Sequence, residues 1–218
     1  NPSSILRQLN VDQSFFLVNP NGVYFGKNAR VDVGAMFAAS TLNITDADFL
    51  NGDFVFKGDT LKPVVNEGVI NAASAALIGR NVANTGTANA TQAALVASAD
   101  SVELANFGHD AKLTLAFGNN AASPDAGTPV ALNTGTVNAT DGDVILYADG
   151  GLADNSQGTI VAEDAEISGA FVDLTNLGTV TADSLLIDPK GSLTIGANTN
   201  KQPKWTKEST DALGHPIT

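Results

Sequence analysis

Carboxylates are the most numerous side chains in this sequence that could do chemistry, since 23 residues are Asp or Glu. Paired carboxylates flanking a bond are the arrangement that glycosidases use as acid and base. Acidic residues come close together at three places, which are Asp46 and Asp48, Asp141 and Asp143, and the group Glu163, Asp164 and Glu166. The middle pair brackets a glycine, as in a turn, and the third group is typical of a solvated corner. We therefore predict no catalytic residues, and we interpret the chain as one that is not an enzyme.

The two histidines also lack the neighbours that a metal site or a catalytic triad needs. His109 stands in Gly-His-Asp and His215 in Gly-His-Pro, and both sequences are typical of turns. The chain has no cysteine, so disulfides and thiolate metal sites cannot exist. It has no glycine-rich phosphate loop either. We predict no metal site and no cofactor.

The charge of the chain argues against two classes of partner. The formal net charge is −12, and only 11 residues are Lys or Arg. Binding to phosphates requires clustered basic residues, so nucleic acid is excluded as a partner, and anionic membranes are disfavoured. The sequence contains no apolar run of about 18 residues and no signal-peptide pattern. If the protein is secreted, we expect its signal to have been removed before Asn1.

A repeated frame organises the chain beyond its first block. The frame Asn-x-Gly-x-(Val/Ile)-x-Ala occurs five times, with its glycines at positions 68, 86, 135, 158 and 178. In the second copy Ala88 stands at the Val/Ile position, and in the fourth copy one extra residue precedes the glycine. The spacing is close to twenty residues except for one gap of 49, which we interpret as two coils and an insertion. A repeat of this length, rich in small and β-branched residues, predicts one turn of a β-helix per unit.

The frame also predicts which side chains stack. We expect each glycine to take a left-handed conformation at a corner, and the Val or Ile and the Ala that follow to point inward by strand alternation. The asparagine of each unit is expected to stack on its counterpart about 4.8 Å away in the next coil, which would form a ladder of side-chain amides. The members of this ladder are Asn66, Asn84, Asn133, Asn155 and Asn176.

Two further strands per coil are expected from other apolar runs. The second strand is predicted at residues 76–78, 94–97, 144–146 and 171–174, and the third at residues 102–104, 113–117, 165–167 and 185–187. Residues 118–129 are rich in turn formers and predict a protruding loop. Residues 198–218 abandon the repeat, and we interpret them as an irregular tail or linker, with an ordered cap as the alternative. Helical patterns are nearly absent.

The first block of the chain is a glycine-punctuated apolar run over residues 15–46. It contains the sequence Asn19-Pro20-Asn21-Gly22. Proline fixes its own φ, asparagine tolerates a left-handed conformation and glycine adopts positive φ freely, so these residues predict a tight turn between two short strands. Period-two alternation after this turn predicts further strands near residues 29–33 and 42–44.

This block resembles the two-partner secretion domain, also called the haemagglutination-activity domain, of filamentous haemagglutinin-like exoproteins. The resemblance is carried by residues 1–5 (Asn-Pro-Ser-x-Ile), 16–26, 29–34, 39–44 and 48–54. It implies an all-β, right-handed parallel β-helix as a single elongated domain. Residues 1–60 would hold the signature coils, with the front of the domain missing, and residues 61–197 the later coils.

The resemblance also implies a role. Such a domain would be recognised by a partner outer-membrane transporter and would nucleate β-helix folding during export of a secreted or cell-surface adhesin, whose host-cell receptor the sequence does not identify. Asn19, Pro20, Asn21 and Gly22 would then contact the transporter, or would only form a corner of the fold. Two alternatives stay open: a subunit of an extracellular fibre that self-associates end to end, and a carbohydrate-binding or carbohydrate-active β-helix.

Overall fold

Short strands make up most of the computed structural model, which describes residues 1–105, 114–117, 129–155, 157–173 and 178–194. In chain order the elements are β1 (Ser3–Ile5), β2 (Gln8–Val11), β3 (Phe15–Val18), β4 (Val23–Phe25), β5 (Arg30–Val33), β6 (Met36–Ser40), α1 (Asp46–Asn51), β7 (Val55–Lys57), β8 (Val64–Asn66), β9 (Val69–Gly79), β10 (Val82–Asn84), β11 (Thr87–Ser98), β12 (Ser101–Ala105), β13 (Thr114–Phe117), β14 (Pro129–Asn133), β15 (Thr136–Ala139), β16 (Asp143–Asp154), β17 (Thr159–Val161), β18 (Asp164–Asp173), β19 (Thr179–Thr181) and β20 (Ser184–Thr194). The predicted loop falls on residues 118–128, which lie outside the described residues, while Pro129 begins β14. The predicted tail, His109 and His215 also lie outside them.

The strands form three parallel stacks, which we call A, B and C. Stack A contains β1, β4, β8, β10 and β14, followed by the last parts of β16, β18 and β20. Stack B contains β2, β5, the first parts of β9 and β11, and then β15, β17 and β19. Stack C contains β3, β6, the second parts of β9 and β11, and the first parts of β16, β18 and β20. The chain visits A, B and C in each coil, and the predicted parallel β-helix is confirmed.

The interior of the β-helix is filled by alternate residues of all three stacks. Because side chains of a strand point to opposite faces in turn, one residue in two faces inward, and equivalent inward residues lie above one another in successive coils. Fully buried examples are Phe25 in stack A, Val31 and Ile70 in stack B, and Phe37 and Leu77 in stack C. We call this set of inward residues the inner core.

The gap of 49 residues in the repeat contains a single coil and not the two that were predicted. Strand β10 pairs directly with β14, with Asn84 opposite Asn133. The remaining residues of the gap form an insertion between stack C of one coil and stack A of the next. An insertion adds length without adding a glycine to the frame, so the spacing alone could not distinguish it from an additional coil.

The assignment of several predicted strands was wrong. Residues 102–104 and 114–117 do not belong to the β-helix; they lie in β12 and β13, which form an antiparallel sheet with β7. Residues 165–167 and 185–187 belong to stack C, below 144–146, and Phe171 pairs with Leu152 in stack A. All these segments alternate in the same way, and alternation does not reveal which stack a strand joins.

One short helix was missed. Thr45 caps α1, since its Oγ1 accepts a hydrogen bond of 3.1 Å from the Asp48 amide, and Gly52 ends the helix with φ of 78°. Both residues are typical caps. The strand predicted near residues 42–44 is reduced to an isolated antiparallel bridge between Asn43 and Lys57. In the part of the chain that the structure describes, no helix could cross a membrane.

A second apolar cluster lies on the outward face of stack C. Two rows of stacked side chains form what we call the outer strip: Phe16, Ala38, Ala76, Leu95 and Ile145 in one row, and Val18, Ser40, Ile78, Ala97 and Tyr147 in the other. The antiparallel sheet of β7, β12 and β13, called the covering sheet below, packs on this strip with its buried residues Phe56, Val102 and Leu104. Stack C is therefore buried on both faces along these coils.

Candidate functional site

The turn at Asn19 leads from stack C of the first coil to stack A of the second. The Asn19 Nδ2 donates to the Asn1 carbonyl at 3.0 Å and to Ser3 Oγ at 2.9 Å. Its Oδ1 accepts from the backbone N–H of Asn21 at 2.9 Å, and the Gly22 N–H donates to the Asn19 carbonyl at 3.0 Å. The side chain of Asn19 thus uses its hydrogen-bonding groups within the fold.

Residues just before β8 support the same turn. Thr60 Oγ1 donates to the Pro20 carbonyl at 3.0 Å, and the Val23 N–H donates to the Pro63 carbonyl at 3.1 Å. Gly22 has φ of 116°, a conformation that favours glycine. Asn21 does not use its tolerance of positive φ, because Gln157 is the only described residue other than glycine with positive φ. The side chains of the turn that remain exposed are those of Pro20 and Asn21.

Four asparagines of the repeat form a buried ladder of amides in stack A. Asn66 Nδ2 donates to Asn84 Oδ1 at 2.8 Å, Asn84 Nδ2 to Asn133 Oδ1 at 2.8 Å, and Asn133 Nδ2 to Asn155 Oδ1 at 2.7 Å. Each of these residues is at most 1% exposed. The Asn155 Nδ2 has no partner among the described residues, and Asn176, the fifth predicted member, lies outside them. Satisfied amides at this depth fix the register of the coils.

The glycines of the repeat are required for close packing and not for the left-handed conformation that was predicted. None of them has positive φ; in the described ranges only Gly22, Gly52 and Gly150 do among glycines. A Cβ added to Gly86 would collide with the Gly68 carbonyl oxygen, and one added to Gly135 would collide with that of Gly86. Successive coils therefore approach so closely at this corner that no side chain fits.

Sequence reasoning missed a second ladder on the outward face of stack B. Asn89 Nδ2 donates to Asn71 Oδ1 at 2.9 Å, and Asn71 Nδ2 donates to Asp32 Oδ1 at 2.6 Å. The hydrogen bond from Asn71, aided by Arg30 at 2.9 Å, holds the pKa of the Asp32 carboxyl below its usual value. The signal was available, because the residue before the final alanine of the frame is Asn at 71, 89 and 138.

The acidic groups considered for catalysis are spread over the surface. Asp46 and Asp48 lie in the first turn of α1, where negative charge is favourable. Asp141 belongs to a turn that precedes β16, and Glu166 accepts a hydrogen bond of 2.7 Å from its neighbour Ser168. Within the described ranges, no group of three or more metal-binding side chains is close enough to hold an ion.

Tyr147 has the most altered environment among the described tyrosines. It is 2% exposed and lies in the outer strip. Burial raises the pKa of its phenol, and the nearby carboxylates of Asp149, Glu166 and Asp100 raise it further. The hydroxyl therefore stays neutral to a higher pH than that of an exposed tyrosine, which suits its position beneath the covering sheet.

Comparison with known proteins places this arrangement in a family. The family model of the TPS secretion domain matches residues 1–195. The chain belongs to this family. It is accordingly a module of a two-partner secretion protein, and proteins with this domain are exported.

A solved structure supports the fold of this TPS domain independently. The chain is similar to the crystal structure of the HMW1 secretion domain from Haemophilus influenzae, with a TM-score of 0.58 and 23% sequence identity. The match covers 83% of this chain and 55% of that chain, so the present sequence spans about half the length of its structural relative. A comparison with curated proteins found no match.

Proposed function

We propose that this TPS domain is the segment that a partner outer-membrane transporter recognises while it exports a larger adhesin to the cell surface or the medium. The family match over residues 1–195 carries this proposal. The net charge of −12 favours a partner other than nucleic acid.

The domain would also nucleate folding of the exported chain. Each coil buries its inward side chains against the previous coil and adds a bond to the amide ladder, such as the 2.8 Å contact between Asn66 and Asn84. In a solenoid, stability is close to a sum of contacts between neighbouring repeats. Each coil that stacks outside the membrane would therefore oppose return of the chain.

The geometry of the turn at residues 19–22 bears on how the transporter would recognise it. In the folded domain the Asn19 side chain is bonded to Asn1, Ser3 and Asn21, so it has little capacity for a partner. Direct recognition of Asn19 would therefore take place before the turn has folded. The opposite reading is that the turn serves only as a corner of the β-helix.

A binding experiment separates these readings. The chain, held unfolded in denaturant that leaves the partner folded, is passed over immobilised periplasmic domains of the cognate transporter, beside the double variants N19A/N21A and N10A/N28A. Asn10 and Asn28 are exposed asparagines outside the segments that carry the resemblance, and they form the matched control. We expect binding of the unaltered chain and of the control. Weaker binding of N19A/N21A would show direct reading of the turn, and equal binding would assign the turn to the fold. Absence of binding by the unaltered chain would contradict the proposed function.

The two alternatives from the sequence stay predictions. Light scattering at rising protein concentration would reveal end-to-end fibres. A reducing-end assay on acidic and neutral polysaccharides would reveal carbohydrate-active chemistry.

A further inference from the structure

Stack C separates two apolar clusters that share no residue. Phe37, Leu77 and Val96 belong to the inner core, whereas their neighbours Ala38, Ile78 and Leu95 belong to the outer strip. The inner core is completed by the β-helix itself. The outer strip is completed by residues outside the β-helix, namely Phe56, Val102 and Leu104 of the covering sheet, with Leu42 and Phe54 beside them. The two clusters therefore do not depend on the same segments.

The covering sheet makes its backbone hydrogen bonds within two insertions, residues 41–63 between β6 and β8 and the segment between β11 and β14. Val102 is opposite both Phe56 and Phe117 in the sheet register, the Leu104 N–H donates to the Phe54 carbonyl at 3.0 Å, and the Gly58 N–H donates to the Asp100 carbonyl at 3.0 Å. The described pairings of β7, β12 and β13 join these strands to one another and, at Lys57, to Asn43. Packing of side chains is therefore what holds the sheet on the β-helix.

The apolar rows of the outer strip end at Ile145 and Tyr147. Glu166 and Ser168 occupy the equivalent positions of the next coil. The apolar part of the outward face of stack C is therefore limited to the coils up to β16, and removal of the covering sheet would expose it to water.

The order of the segments along the chain makes the sheet slow to complete. Strand β7 precedes two coils of the β-helix, and its partner β12 follows them. The pairing of Phe56 with Val102 therefore spans more than twice the roughly twenty residues that separate neighbouring coils. Longer loops cost more entropy to close and form later, so the coils can stack before the sheet closes.

We propose that the covering sheet is a strap that closes over a β-helix already formed, and that it opens as a unit while the inner core stays intact. In the open form the outer strip, with Phe16, Leu95 and Ile145, becomes an exposed apolar face. Closure of the strap would then be the last folding step. It would convert an intermediate with an exposed apolar face into a domain in which that face is covered.

Three variants of the full chain test the strap. The double variant V102S/L104S removes the two buried apolar side chains of β12, and E103S changes the exposed residue between them. Hydrogen exchange followed by mass spectrometry reports on β7 and β12 separately from β9 and β11. Binding of a hydrophobic dye reports on the outer strip. In a Y24F background Tyr147 is the single tyrosine, and its alkaline titration reports on burial under the strap.

We expect V102S/L104S to exchange at β7 and β12 at least about tenfold faster than the unaltered domain, while β9 and β11 stay protected. It should bind the dye, and its Tyr147 should ionise at lower pH than in E103S, which should behave like the unaltered chain. Loss of protection in β9 and β11 together with β7 and β12 would overturn the proposal, because the sheet and the β-helix would then be one folding unit. Unchanged exchange at β7 and β12 would overturn it as well.

Native-state exchange of the unaltered domain keeps the proposal testable if the double variant does not fold. In low denaturant, amides of β7 and β12 should exchange through a partial opening at least about tenfold faster than those of β9 and β11. Equal rates in the two groups would contradict an independent strap.

Discussion

At the scale of single residues, the amides of stack A are the most demanding groups in the fold. Asn66, Asn84, Asn133 and Asn155 are buried almost completely, and each depends on a neighbouring coil for a partner. A buried polar group left without a partner costs about 1–3 kcal/mol. The ladder is therefore a device for register, since a coil that slips leaves amides unpaired.

Replacing a central member of the ladder should be costly. Asn84→Ala removes the donor to Asn133 and the acceptor for Asn66, and we expect a loss of about 3 kcal/mol in the free energy of unfolding. The matched control is Asn89→Ala in the half-buried second ladder, with an expected loss of about 1 kcal/mol. Urea denaturation followed by circular dichroism measures both. A smaller loss for Asn84→Ala than for Asn89→Ala would show that burial does not set the importance of these amides.

A second prediction concerns the repeat glycines. Gly135→Ala places a methyl group against the Gly86 carbonyl, so the coils must move apart, and we expect a loss of about 1–3 kcal/mol in the free energy of unfolding. Gly58→Ala is the control, because its methyl group would lie 3.5 Å from the Leu42 Cα at an ordinary contact distance. Thermal denaturation of both variants distinguishes them. Equal melting temperatures would refute close approach as the reason for glycine.

At the scale of elements, the sequence predicted strands that recur from coil to coil. It did not predict α1 or the covering sheet, which interrupt the repeat. The frame around Gly86 and Gly135 placed the strands of stack B, because an inward apolar residue, Ala88 in one coil and Val137 in the next, follows each glycine at a fixed distance. The covering sheet could not be recognised, since residues 102–104 alternate like any strand of the helix and their partner Phe56 is far away in sequence. The stack that a strand joins is determined by its pairing with strands distant in sequence, and a local pattern of apolar residues carries no information about that pairing.

The helix α1 was predictable from its caps and was overlooked. Thr45 precedes Asp48 by three residues, and Gly52 follows the last turn, which together are start and stop signals. Its length of 6 residues gave no helical period to detect.

The cap of α1 can be tested by local exchange. Thr45→Ala removes the 3.1 Å hydrogen bond to the Asp48 amide and should destabilise the helix by about 1 kcal/mol. Because α1 has no buried residue, we expect faster hydrogen exchange in residues 46–51 with little change in the global unfolding midpoint. The exposed Thr140 provides the control Thr140→Ala. A large drop in the global midpoint would instead make α1 part of the main folding unit.

At the scale of the whole molecule, charge and packing act in opposite directions. The coils are held together by two apolar clusters and by ladders of amides. The net charge of −12 acts against them, because the excess acidic side chains repel one another. The repulsion keeps an exported module soluble, at a cost in stability that solution conditions can change.

The charge predicts a dependence on salt. Raising the salt concentration at pH 7 from about 0.01 M to about 0.15 M shortens the Debye length to about 8 Å, so the melting temperature should rise. Near pH 4.3, the isoelectric point, the same change should have little effect because the net charge has vanished. Calorimetry at the two pH values checks this. A melting temperature that falls with salt at pH 7 would show that attractive ion pairs outweigh the repulsion.

The insertion between β11 and β14 leaves the frame undisturbed. The side-chain hydrogen bond from Asn84 to Asn133 connects the two coils on either side of this insertion. Its length is 2.8 Å, the same as that of the hydrogen bond from Asn66 to Asn84 across an ordinary coil. The other insertion, residues 41–63, lies at the same corner, where the chain passes from stack C to stack A. This corner is thus where evolution can lengthen such a domain, and where an engineer could graft a foreign peptide or epitope without retuning the scaffold.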